Sequence, residues 1–77
     1  MTDLIRVFGE NIRHLRDAKC WSQEQLAQRA GLHRSYVGEI ERGEVTASIL
    51  TVEKLASAFD MPMANLLMRE NQSATTP

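Results

Sequence analysis

Residues 21–44 read WSQEQLAQRAGLHRSYVGEIERGE, and this stretch decides the fold. The Ser22 hydroxyl can accept from the Gln25 amide while the Gln25 side chain reaches back to Ser22, a capping box that starts a helix. Trp21 and Leu26 occupy the two positions of a hydrophobic staple around that start. Leu26, Ala27 and Ala30 then share one face, and Gly31 ends the helix where positive φ is needed. Another helix follows at once over residues 33–42, with Val37 and Ile40 inward, Tyr36 on the flank and Gly43 as its stop. A turn of only Gly31 and Leu32 forces the two helices to cross steeply. Ala27 is small enough for the close approach. The later helix must then stand out with Arg34, Ser35, Gly38, Glu39 and Arg42 on its free face.

Working outward, Leu4, Phe8, Ile12 and Leu15 recur at helical spacing and predict a first helix over residues 3–19, capped by Asp3 or Thr2. Ile49, Val52, Leu55, Ala56 and Phe59 predict a fourth helix over residues 48–59. Pro62 fits the first turn of a short fifth helix, where its missing donor costs nothing, with Met63, Leu66 and Leu67 as apolar positions. No stretch alternates as a strand would. The fold class is therefore all-α, a compact five-helix bundle over residues 1–70, with a polar tail over 71–77 expected to be disordered.

The chain has 77 residues, which suits one domain. A domain this small buries only about 60% of its unfolded surface, and association with a second copy is a common remedy. Cys20 is the single cysteine, so no intrachain disulfide or cysteine-based zinc site is available, which suits a reducing cytoplasm. No apolar run approaches the roughly 20 residues that span a bilayer, and no signal-peptide pattern opens the chain. Nor is there a nucleophile–base pair, metal cluster or glycine-rich phosphate loop, so an enzyme, a metal or a cofactor is not expected. The net charge is −1. Phosphate contact depends on placement rather than on the sum, and Arg13, Arg16, Lys19, Arg29, Arg34 and Arg42 all fall in the first 42 positions.

The polar face of the third helix could simply be solvated. Two features speak against that. Gly38 inside a helix costs about 1 kcal/mol relative to alanine. Arg34 at the helix start opposes the helix dipole. Both choices make sense if the amino end of this helix meets polyanionic DNA. The stretch also resembles the Xre family of phage-repressor-like helix-turn-helix proteins. The carriers are LAQRAGL and IERG, with Leu26, Ala27, Ala30, Gly31, Leu32, Val37, Ile40, Glu41 and Gly43 in register, and the likeness extends over about residues 8–68. Within that family HRSYVGEIERG is most similar to the controller proteins of restriction-modification systems. Ala47 departs from a frequent proline, and Pro62 from a frequent polar cap.

The resemblance implies a lambda-repressor-like fold and a cytoplasmic transcription regulator whose third helix lies in the major groove. There Arg34 can bond guanine O6 and N7, worth about 1–3 kcal/mol of discrimination. Ser35 reaches a base edge or phosphate. Tyr36 either bonds phosphate, packs on a thymine methyl, or is half-buried beneath the second helix. Glu39 accepts from cytosine, steers Arg34, or repels wrong sequences. Gln23 at a helix start, Arg42 and Thr46 are expected on the phosphate backbone, and His33 as a cap or phosphate neighbour. His14 is read as a surface residue. Glu41 matches a family glutamate that pairs with an arginine of the first helix, here Arg16. One domain reads half a site, so a homodimer on a two-fold operator is expected, its recognition helices about 34 Å apart. Met61, Met63, Leu66, Leu67 and Met68 are more apolar residues than a short helix buries inward, which marks them as the dimer surface. Met63 and Met68 are expected to face the partner, with Leu66 and Leu67 divided between core and interface. An exposed Glu24 or Glu44 could meet RNA polymerase. The rival reading is an antitoxin or other protein-interaction module on the same scaffold.

Overall fold

A computed structural model describes residues 2–68, with side chains from Leu4 onward; the 71–77 tail lies outside the described residues. The element order is α1 (Thr2–Ala18), α2 (Gln23–Ala30), α3 (Arg34–Glu41), α4 (Ile49–Phe59) and α5 (Met63–Leu67). The described residues contain no strand, as expected for an all-α domain. No described helix is long and apolar enough to cross a membrane. α3 packs on α1 and α2, α4 on α2 and α5, and α5 on α1.

One core unites the helices: Phe8 and Ile12 from α1, Leu26, Ala27 and Ala30 from α2, Val37 and Ile40 from α3, Val52, Leu55, Ala56 and Phe59 from α4, and Leu66 from α5. Burying each of the large side chains stabilises by about 1.5–3 kcal/mol before the entropy of ordering is set against it. Trp21 extends this core, stacking on Phe59 at a centroid distance of 5.6 Å, while the Arg29 guanidinium covers the indole at 4.4 Å.

Helical periodicity placed two residues on buried faces that the structure exposes. Leu4 is 52% and Ile49 77% accessible. Each lies in the first turns of its helix, where the face continues but no described element covers it. α1 begins at Thr2, so Asp3 stands inside the helix rather than at its cap, and the side chains of Thr2 and Asp3 lie outside the described residues. Pro62 takes the N-cap of α5 rather than its first helical position. The far end of that helix is capped from a distance, because Asn11 Nδ2 donates to the Leu66 and Met68 carbonyls at 2.8 and 2.7 Å.

α1 to α4 end in the same way. Cys20, Gly31, Gly43 and Asp60 have φ of 60°, 69°, 71° and 58°. In each case the following amide donates to a carbonyl five residues back: Trp21 to Arg16, Leu32 to Ala27, Glu44 to Glu39 and Met61 to Ala56. These are Schellman motifs, and the left-handed residue reverses the chain. At Gly31 the reversal takes place within three residues and sends α3 across α2.

Candidate nucleic-acid interface

The capping box that opens α2 is formed in full. Gln25 N donates to Ser22 Oγ at 3.0 Å and Ser22 N to Gln25 Oε1 at 2.8 Å. This fixes where Gln23 stands. α3 then starts at Arg34, with His33 in the N-cap position but making no side-chain cap bond, which corrects the expectation of a histidine cap. Its first turn contains no acidic residue. Val37 and Ile40 are buried, so Arg34, Ser35 and Arg42 are turned outward and Glu39 is half-exposed.

Gln23, His33, Arg34, Ser35, Gly38, Glu39 and Arg42 line one open depression of about 500 Å³. Six of the eight expected DNA-facing residues are thereby brought together. The other two lie elsewhere. Tyr36 is half-buried against the core, and its hydroxyl lies 3.4 Å from Thr51 Oγ1 on α4. Thr46 lines a separate apolar groove with Leu4, Ile5, Phe8, Val45, Ala47, Val52 and Leu67.

Gly38 lies on this face, as its helical position suggested, but it is buried. A β-carbon there would lie 3.1 Å from Arg42 Nη1 and 3.5 Å from Gln23 Oε1. The contact that explains this glycine is made by the chain's own polar side chains, which lie across the helix.

α3 is tied to α1 by an ion pair. Arg16 Nε donates to Glu41 Oε2 at 2.6 Å and Nη2 to Oε1 at 3.0 Å. The two side chains are only 13% and 4% accessible. Arg16 Nη1 also donates to the Trp21 carbonyl at 2.8 Å, and Gln23 Nε2 donates to Glu41 Oε1 at 3.1 Å. The hydrogen bond to Glu41 holds the Arg16 guanidinium above its ordinary pKa, against the opposing effect of burial. Gln23 is thus anchored at one end by the pair that fixes α3. Arg42 is exposed but engaged, since its Nε and Nη2 donate to Glu44 at 2.8 and 3.2 Å. Arg42 lowers the Glu44 pKa, chiefly through that hydrogen bond, against the opposing effect of desolvation and with a lesser contribution from its charge. Glu24 and Glu44 are both exposed, and Glu44 is held in this ion pair with Arg42. Arg34 has no ion pair among the described residues.

Two further residues belong to this region: Arg13, which the sequence offered only as one of several basic residues, and Gly9, which it did not single out. Arg13 lines a neighbouring hollow with Arg16, Gln23, Glu41 and Arg42, so it extends the cationic surface past α2. Gly9 lets α1 touch α3, because a β-carbon there would overlap the Ile40 carbonyl oxygen. Spacing on α1 signalled neither residue, since both depend on how α1 lies against α3.

The surface expected to form a dimer is only partly available. Leu66 is fully buried, which removes it, and Met61 and Met63 are half-buried against the core. The apolar count overstated the surplus because α5 is wedged between α1 and α4 and uses Leu66 as its anchor. Leu67 and Met68 remain, 40% and 44% accessible.

Comparison with known proteins bears on this geometry. A family profile described as helix-turn-helix matches residues 12–66. The control protein C.SmaI of Serratia marcescens is 40% identical over 68 residues, covering 88% of this chain and 81% of that one. The control protein C.BamHI of Bacillus amyloliquefaciens is 41% identical over 69 residues, covering 87% and 85%. The crystal structure of the restriction-modification controller protein C.AhdI from Aeromonas hydrophila superposes with a TM-score of 0.78 at 47% identity, covering 80% of this chain and 94% of that chain.

Proposed function

The chain belongs to the helix-turn-helix family, and from that premise we propose that it is a transcriptional regulator that binds duplex DNA as a homodimer and controls the genes of a restriction-modification system. One observation carries the DNA reading: Arg34 and Ser35 stand on the exposed amino-terminal turn of α3 with no ion pair or side-chain hydrogen bond among the described residues, in the same depression as Gln23 and Arg42. The amino end of a recognition helix is the part that reaches base edges in the major groove. Arg34 supplies the fork that reads guanine, and Gln23, Arg42 and Arg13 supply the flanking phosphate contacts. The controller role rests on the likeness to C.SmaI, C.BamHI and C.AhdI. The dimer is assigned to the exposed Leu67 and Met68 beside the apolar groove that Leu4 shares with Leu67.

Selection from a pool of randomised duplexes tests the reading. A two-fold sequence should emerge, with half-sites about one helical turn apart. Arg34→Ala should then lower preference for that sequence over random duplex by about one to three kcal/mol per half-site while the protein stays folded. An undiminished preference would refute the assignment of Arg34, and a monomer in sedimentation at tens of micromolar, as an order of magnitude, would refute the dimer.

A further inference from the structure

We propose that Glu44 is an internal competitor for Arg42, one that a DNA phosphate must displace from the Nε–Nη2 edge, and that it holds down the protein's sequence-independent affinity. This rests on the DNA-binding reading above. The Nε and Nη2 edge of an arginine is the fork that fits two oxygens of a carboxylate or a phosphate equally well. In this chain that edge is filled by both Glu44 oxygens, at 2.8 and 3.2 Å. The remaining Nη1 lies over Gly38, on the side of Gln23 Oε1. A phosphate can take the Nε–Nη2 edge only by displacing Glu44, and is otherwise left with the end-on pair of Nη1 and the second Nη2 hydrogen.

The backbone, rather than side-chain chance, positions this carboxylate. Gly43 takes φ 71°, and the Glu44 amide returns to the Glu39 carbonyl at 3.0 Å. The reversal brings residue 44 back alongside residue 42. Arg42 in turn lines the depression that contains Arg34 and the hollow that contains Arg13, so its neutralisation falls in the middle of the cationic surface. A contact to phosphate carries no sequence information. Weakening it lowers affinity for all duplexes alike and leaves base preference unchanged.

The test measures binding of wild type, Glu44→Gln, Arg42→Gln and the double variant to a random-sequence duplex and to the duplex recovered by selection, across a salt series. Glu44→Gln should bind both duplexes about two- to fivefold tighter, the range expected when an exposed ion pair is released. Its logarithmic salt dependence should steepen by up to about one, as a phosphate contact that Glu44 partly suppresses in the wild type is completed. In the Arg42→Gln background the same change should give no such gain. A gain that persists without Arg42 would show Glu44 acting as a general repulsive charge and overturn the proposal. So would wild-type binding with no gain in Glu44→Gln, or a gain confined to the selected duplex. If the folded wild type binds neither duplex, the DNA reading fails and this competitor role fails with it.

Discussion

The backbones of Gly9 and Ile40 are in direct contact: a β-carbon on Gly9 would overlap the Ile40 carbonyl oxygen and lie within 3.2 Å of the Glu41 carbonyl group. α3 is therefore seated against α1 at backbone distance. A second tie, Arg16 to Glu41, lies on the same pair of helices. Because α3 is only eight residues long, it has little stability of its own. Its orientation comes from these two contacts and from the buried Val37 and Ile40.

Gly9→Ala should destabilise the fold by about 1–3 kcal/mol, the usual cost of forcing extra volume into a packed site. The obstructing atoms belong to backbone and cannot rotate away, so the upper part of that range is expected. In a domain of this size each kcal/mol lowers Tm by about 4–8 °C. Thermal unfolding followed by circular dichroism measures it, and a Tm within a degree or two of wild type would show that α1 and α3 can separate without penalty.

Arg16→Ala should cost about 3 kcal/mol, because Glu41 would be left as a largely buried charge with only Gln23 as partner. Arg16→Lys should recover only part of this, since an ammonium cannot serve both Glu41 oxygens and the Trp21 carbonyl in one plane. Arg13→Ala should leave stability within about 0.5 kcal/mol, as expected of an exposed residue, and should weaken binding to random duplex instead. Equal melting temperatures for the Arg13 and Arg16 variants would show that the ion pair does not stabilise the domain.

Where the sequence was legible, the signal was local. Ser22 and Gln25 form a motif within four residues, and Gly31 and Gly43 stand where only a left-handed residue fits the turn. The open face of α3 followed from that turn, which is why most of the depression could be named in advance. The failures share a different cause. Periodicity identified the apolar faces of α1 and α4 but not where their covering ends, so Leu4 and Ile49 were assigned inward. Composition counted apolar residues on α5 without showing that Leu66 is its anchor. Arg13, Gly9 and the covered state of Gly38 depend on contacts between α1, α2 and α3, which no local pattern encodes.

The ends of α1 and α4 were illegible because the residues that adopt positive φ there, Cys20 and Asp60, are not glycine. For an L residue this conformation costs about 1–2 kcal/mol. Glycine removes that strain but adds freedom to the unfolded chain, which offsets part of the gain. Cys20→Gly should therefore raise stability by about 0.5–1 kcal/mol, and Asp60→Gly by less, since aspartate tolerates this region better. Urea unfolding with an unchanged m-value is the measurement. A loss of stability on Cys20→Gly would mean that the side chain makes a stabilising contact outweighing the strain.

Gly38→Ala separates stability from function in a single change. Alanine in the middle of α3 gains about 1 kcal/mol of helix propensity over glycine. The new methyl meets Arg42 Nη1 at 3.1 Å and Gln23 Oε1 at 3.5 Å. Arg42 is exposed, and the atom that must move is the far end of a flexible side chain, so the shift costs little of that gain. Tm should rise by a few degrees, at the roughly 4–8 °C per kcal/mol typical of this size. The same methyl pushes the guanidinium and the carboxamide away from the helix surface on which they are set towards the groove. Affinity for random duplex should fall and its salt dependence become shallower by about one, as for the loss of one phosphate contact. Differential scanning calorimetry and a salt titration on the same preparation measure both effects. A variant that is more stable and binds as tightly as wild type would show that Gly38 has no part in placing these side chains, and one that is less stable would show that Arg42 cannot yield.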